Sequence, residues 1–388
     1  MSTHLIEVPP GLKNVAVTDT LIGDVRGDEG FYHYREYSAI DLAQNLSLEA
    51  VWFLLFHGHL PDAVELDDFK RVVAQHQTIP SSVADVLPAI ARLGKLDDAP
   101  LQGLRTALSL VATAHDMRPW LDLAPEARLT DAMKLCAVVP TLLAALHRLG
   151  LGLTPVEADP HLGYAENYLY MTLGEPAPAA ECRAVEQYLI STIDHGFNAS
   201  TFAARVIAGT GADFGACLVG AVGALSGPLH GGAPSRALQA VEDIGQPEAA
   251  ADWVREQLDA GNKLMGFGHA VYRTEDPRSA MLKAIALQLG GPLVEQAIAI
   301  EQEILKALAA LKPGSSIHTN VEYYAGLVMQ RCGLPAAMFT PTFASSRVIG
   351  WSANVLEQAA SNKIIRPAAR YVGRPAPQPL PDTEQAVA

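Results

Sequence analysis

Residues 265–278 read MGFGHAVYRTEDPR. His269 follows two glycines, Gly266 and Gly268, set one residue apart. Glycine there lets the backbone take positive φ or come close to a partner. Arg273 comes four residues after the histidine. Asp276-Pro277 then reads as a helix start, with Asp276 as the N-cap and Pro277 at the first helical position. Arg278 falls in the first turn, where the helix dipole disfavours a cation. It is either a solvated arginine or one held for an anion.

Outward from this stretch the chain is helical. Residues 47–61 (SLEAVWFLLFHGHLP) begin with a capping serine, run apolar, and stop at Gly58 and Pro61. Residues 131–150 carry a helical pattern with a kink expected at Pro140 and a stop at Gly150. Residues 181–196, 200–211 and 213–227 continue it, the last rich in glycine as close helix packing requires. Period-2 patterns are scarce; a short hairpin is expected within 16–34, punctuated by Gly23 and Gly30. There is no internal repeat. Residues 374–388 are Pro-rich without an apolar face and read as a mobile tail.

The chain has 388 residues, 49% of them hydrophobic, enough for more than one domain. Its formal net charge of −14 argues against a nucleic-acid partner. An anionic ligand would need locally concentrated arginines. Cys136, Cys182, Cys217 and Cys332 form no CxxC and read as reduced apolar fillers. The N-terminus lacks a signal pattern, and no apolar run reaches the ~18–20 residues of a membrane span. The expectation is a cytoplasmic enzyme without a membrane partner.

Three segments carry candidate chemistry. In SGPLHGGAPSRAL (226–238), His230 sits among helix breakers, either as a structural histidine or as a ring exposed in a cleft. The stretch at 265–278 is the second. In HTNVEYYAG (318–326), Thr319-x-x-Glu322 matches a capping box, so Glu322 is either a cap or a base presented from a helix end. DHGFNAST (194–201), SSRVIGW (345–351) and NKIIRPAARYVG (362–373) each set one His or Arg among small or helix-breaking residues. His57 and His59 lack a convincing third ligand, so no metal is expected. GFGHAV lacks the strand–turn–helix setting of a dinucleotide loop.

The ordered set GPLHGG, GFGHAVYRTEDPR, NVEYYAG, SSR and RP resembles the citrate synthase family, from about Gly11 to Gly373. The resemblance implies an all-α, two-domain homodimer with shared active sites. The small domain would be residues 231–327, and the large domain 1–230 plus 328–388. It implies condensation of acetyl-CoA with oxaloacetate, then hydrolysis of citryl-CoA. Acetyl-CoA is a co-substrate, and no cofactor is bound permanently. His230 would stabilise the enol, Glu322 would take the methyl proton, and His269 would polarise the oxaloacetate carbonyl. His195, Arg278 and Arg347 would bind the dicarboxylate, with Arg366 supplied by the partner subunit. Arg273, Leu264, Met265, Gly266, Gly268 and Asn320 would line CoA.

Two residues depart from the family pattern. Glu322 stands where Asp is commoner, and Gly196 follows His195 where many members carry Glu. The rival readings are a 2-methylcitrate synthase using propionyl-CoA, and a non-catalytic regulator that binds CoA or a dicarboxylate.

Overall fold

The computed structural model describes residues 5–93, 99–227, 230, 233–269, 271–314, 317–361 and 363–378. One small antiparallel sheet has the order β1 (Gly23–Arg26), β2 (Phe31–Tyr34), β3 (Tyr37–Ser38). Val25 lies opposite Tyr32, and the hairpin falls within the expected segment. Helices make up nearly all the remaining regular structure. They are α1 (Ala39–Asn45), α2 (Leu48–His57), α3 (Ala63–Gln75), α4 (Ser81–Ala84), α5 (Leu87–Leu93) and α6 (Ala99–Ala114). Then come α7 (Pro125–Gly150), α8 (Tyr164–Leu173), α9 (Ala179–Thr192), α10 (Ala199–Ala208), α11 (Phe214–Leu225) and α12 (Ala233–Ile244). The last are α13 (Ala250–Asp259), α14 (Pro277–Leu289), α15 (Pro292–Leu311), α16 (Val321–Arg331) and α17 (Phe339–Ser361).

Local rules set many of these boundaries. Ser47 accepts from Ala50 N–H at the start of α2, and Gly58 ends it in the left-handed region. Asp276 caps α14, with Pro277 first in the helix. Packing sets the rest. α7 is buried from Asp131 through Leu146, Lys134 apart, and runs on through Pro140. It is long and apolar enough to cross a membrane, which corrects the expectation that no run would be. Its apolar window is 78% buried inside the protein, against α5, α6, α8 and α17, so it is a core helix here. The four cysteines are free and buried.

The helices from α12 to α16 form a second group. α12 packs on α16, α13 on α15, and α14 on α16. α14 and α16 also meet α9, and α12 meets α17. The candidate residues gather where these groups meet. The hairpin reaches the same place: a Cβ on Gly27 would stand 2.3 Å from the Val271 carbonyl oxygen, so only glycine permits that approach. Residues 363–378 carry no regular structure. Pro228, Leu229, Gly231 and Gly232 of the GPLHGG motif, and residues 379–388 of the expected tail, lie outside the described residues.

Candidate active site

The 265–278 loop is fastened to the start of α16. Gly266 and Gly268 have φ of 87° and 77°, a region L side chains rarely adopt. That turn lets Gly268 N–H donate to the His318 carbonyl at 2.8 Å and Asn320 N–H donate to the Gly266 carbonyl at 2.9 Å. The Asn320 side-chain amide donates to the Gly268 carbonyl at 2.8 Å. Leu264 accepts from Phe267 N–H at 3.2 Å, and with Met265 it completes the backbone entering the turn. His269 is then fixed by its own loop. Its Nδ1 accepts from Val271 N–H and Tyr272 N–H, each at 3.0 Å. The neutral ring therefore carries its proton on Nε2. Burial, with Arg278 next, pulls its pKa down to about 4, so the ring is neutral near pH 7.

Arg278 is 4% exposed and Asp276 1%. Their pairing is bidentate: Arg278 Nε donates to Asp276 Oδ1 at 3.0 Å and Nη2 to Oδ2 at 2.9 Å. Burial opposes the Asp276 charge, but Arg278 outweighs it and holds the carboxyl below its ordinary value. So the first-turn cation answers the dipole with a buried partner, and the solvated-arginine reading is wrong. Tyr32 of β2 lies against both Arg278, at 5.9 Å, and His195, with ring centroids 5.4 Å apart. His195 Nε2 pairs with the Tyr272 hydroxyl at 2.9 Å, and its ring is 5.8 Å from that of His269. Burial, then Arg278 and Arg347, hold His195 neutral, well below its ordinary pKa.

His230 is oriented from α10. Asn198 caps that helix, and Ser200 N–H donates to His230 Nε2 at 3.3 Å. The Ser200 hydroxyl is 2.8 Å from the same nitrogen and accepts from Trp351 Nε1 at 3.0 Å. With Nε2 accepting, the ring proton sits on Nδ1. Burial, with Arg347 next, lowers its pKa to about 4.

Glu322 is not a cap. The N-cap of α16 is Asn320 rather than Thr319, and Glu322 is the second helical residue. Val321 N–H donates to Asp276 Oδ2 at 3.2 Å, Glu322 N–H to Asn320 Oδ1 at 3.0 Å, and Tyr323 N–H to the Asn320 carbonyl at 3.3 Å. The helix start is satisfied without the Glu322 side chain. Thr319 Oγ1 instead donates to Glu301 Oε1 at 2.6 Å. Glu322 Oε2 is buried and has no hydrogen-bond partner among the described residues. Burial outweighs the two arginines and lifts its pKa to about 7.

Arg347 comes from α17. Its Nε donates to the Thr192 carbonyl at 2.8 Å, and its guanidinium lies 4.5 Å from the Phe343 ring centre. Its charge is felt at His195, His230 and Glu322. Arg273 is exposed, with its backbone N–H on the Gly27 carbonyl at 3.0 Å. Arg366 is exposed in the segment after α17, outside this cluster. Sequence reading missed Tyr272, Ser200, Tyr32, and the role of Asp276 as ion partner. Tyr272 stands in the quoted stretch and Ser200 in DHGFNAST; nothing local marks Tyr32. The cluster thus offers one carboxylate poised near neutrality, two neutral imidazoles with assigned N–H groups, and two buried guanidiniums. Such a set suits proton abstraction beside a carbonyl in the presence of an anionic second substrate.

The family model described as citrate synthase, C-terminal domain, matches residues 11–368. A citrate synthase of Haloferax volcanii is 36% identical over 374 residues, covering 95% of this chain and 96% of the relative. A 2-methylcitrate synthase of Mycobacterium tuberculosis is 38% identical over 369 residues, covering 95% and 91%. The crystal structure of citrate synthase from Pyrobaculum aerophilum superposes with a TM-score of 0.88 at 32% identity, covering 99% of this chain and 98% of that one. The ternary complex of a Thermoplasma acidophilum citrate synthase with carboxymethyl coenzyme A and oxaloacetate superposes with a TM-score of 0.87 at 29% identity, covering 98% of this chain and 100% of that one.

Proposed function

Because this chain belongs to the citrate synthase family, we propose that it condenses acetyl-CoA with oxaloacetate and hydrolyses the resulting citryl thioester. The observation that carries this reading is Glu322, whose buried, unpaired Oε2 sits in the field of Arg278 and Arg347 with a pKa raised to about 7. A thioester α-proton is weakly acidic, so a carboxylate removes it only if the developing oxyanion meets a donor. His230 Nδ1–H is that donor. His269 Nε2–H polarises the oxaloacetate ketone and protonates it as the carbon–carbon bond forms. Arg278, Arg347 and His195 hold the dicarboxylate, joined by Arg366 of a second subunit in a homodimer. Arg273, Asn320 and the 264–268 backbone hold CoA, a co-substrate rather than a resident cofactor. Water then cleaves the thioester and frees CoA.

The same proposal divides the chain into a large domain, 1–230 with 328–388, and a small domain, 231–327. The mutual packing of α12 to α16 supports it. Residue 327 lies inside α16, so a division after Arg331 keeps that helix whole. A cytoplasmic location is part of the proposal. The 38% identity to a 2-methylcitrate synthase favours propionyl-CoA as the second reading. Thiol release with oxaloacetate and each acyl-CoA in parallel tests both. Higher kcat/KM for propionyl-CoA establishes the second reading; turnover of neither, with CoA still bound, leaves a non-catalytic binder and refutes the proposal.

A further inference from the structure

We infer that Glu301, on α15, is a positioning residue that sets the reach of the proton-abstracting carboxylate. The inference rests on the reading of Glu322 as the base. Glu301 is 3% exposed, on a helix that carries none of the candidate site residues. Its two oxygens are shared among three donors. Oε1 accepts from the Thr319 hydroxyl at 2.6 Å. Oε2 accepts from the Tyr324 hydroxyl at 2.5 Å and from Lys283 Nζ at 2.7 Å. Thr319 precedes Glu322 by three residues and Tyr324 follows it by two, so one carboxylate grips the chain on both sides of the base. One turn earlier on α15, the Ala297 carbonyl accepts from the Tyr323 hydroxyl at 2.7 Å. The start of α16 is therefore fastened to a single face of α15.

The arrangement has a chemical purpose that stability alone does not supply. A buried ion pair is weak evidence for stability, because an apolar packing of similar volume often serves as well. Carboxylate–hydroxyl bonds instead fix distance. Glu322 is longer than Asp by one methylene, about 1.5 Å, and has one more rotatable bond. A longer base works only if its backbone is held at a matching distance from the methyl group it attacks. The Glu301 clamp acts on that backbone while Glu322 Oε2 stays free.

The test is a double-mutant cycle on the full chain. Glu301→Gln keeps the shape but cannot accept from both hydroxyls and Lys283 together. We expect kcat with acetyl-CoA to fall about 10–100-fold, as a misplacement of roughly 1 Å costs. KM for oxaloacetate should change less than about twofold, since Arg278 and Arg347 are untouched. In a Glu322→Gln background the same substitution should cause no further loss. If the two losses multiply, or if Glu301→Gln turns over like wild type, the positioning role is refuted. If Glu322→Gln alone retains full activity, the base reading fails instead. Should Glu301→Gln fail to fold, Thr319→Val and Tyr324→Phe each remove one arm of the clamp. Each should then lower kcat without raising the KM for oxaloacetate, and normal kcat in both overturns the inference.

Discussion

Replacing Glu322 by Gln should make the protein less active and more stable, with the stability gain confined to neutral and alkaline pH. Burial raises the folded-state pKa from 4.5 to about 7. The folded state therefore holds this proton where the unfolded chain has lost it. Below the unfolded value both states are protonated and the residue costs nothing. From there the cost grows with pH, and it is complete once pH passes the folded value. One pH unit corresponds to about 1.4 kcal/mol, so the full cost is roughly 3 kcal/mol. Gln carries no charge to bury. Thermal unfolding of Glu322→Gln should match wild type at about pH 4.5 and exceed it increasingly up to about pH 7, then by a constant margin. Over the same range, kcat should be lower by ~10²–10⁴-fold, a usual general-base contribution. In wild type, kcat/KM for the acyl-CoA should fall as pH drops through about 7, as the carboxylate takes up its proton. A stability gap that does not vary with pH would refute the burial argument. Near-wild-type turnover of the folded variant would remove Glu322 from the mechanism.

Glu322→Asp should give activity between wild type and Glu322→Gln, because the backbone is set for the longer side chain; kcat under saturating substrates checks this. Arg278→Ala should destabilise by about 3–5 kcal/mol by stranding the buried Asp276 charge, read by denaturant titration. Arg278→Lys keeps that charge and should raise KM for oxaloacetate more than for acyl-CoA. Arg273→Ala should do the reverse, so equal effects on both substrates would sink the separate roles. Arg366→Ala should weaken oxaloacetate binding, and mixing it with His269→Ala should restore some activity through a hybrid site with both native residues. Hybrid dimers without activity would exclude a shared site.

Much of the candidate site was legible because its signals are local. The positive φ of Gly266 and Gly268, the Asp276 cap before Pro277, and the Ser47 and Gly58 ends of α2 depend on atoms within about four residues. A sequence pattern reports such constraints directly. The motif set likewise fixed the family and the all-α class. Local pattern failed where the deciding partner lay far along the chain. Thr319-x-x-Glu322 has the spacing of a capping box, yet Glu301, from a different helix, takes the Thr319 hydroxyl. Asp276, 45 residues before Val321, takes one of the backbone donors that begin α16. The fate of Glu322 was thus decided by what packs around α16. The same holds for α7, whose composition fits a membrane as well as a core until the helices around it cover it. His195 was visible as a histidine, but its neutrality comes from burial beside Arg278 and Arg347. Backbone geometry and capping are properties of short segments. Desolvation and charge proximity exist only once segments distant in sequence exclude water together.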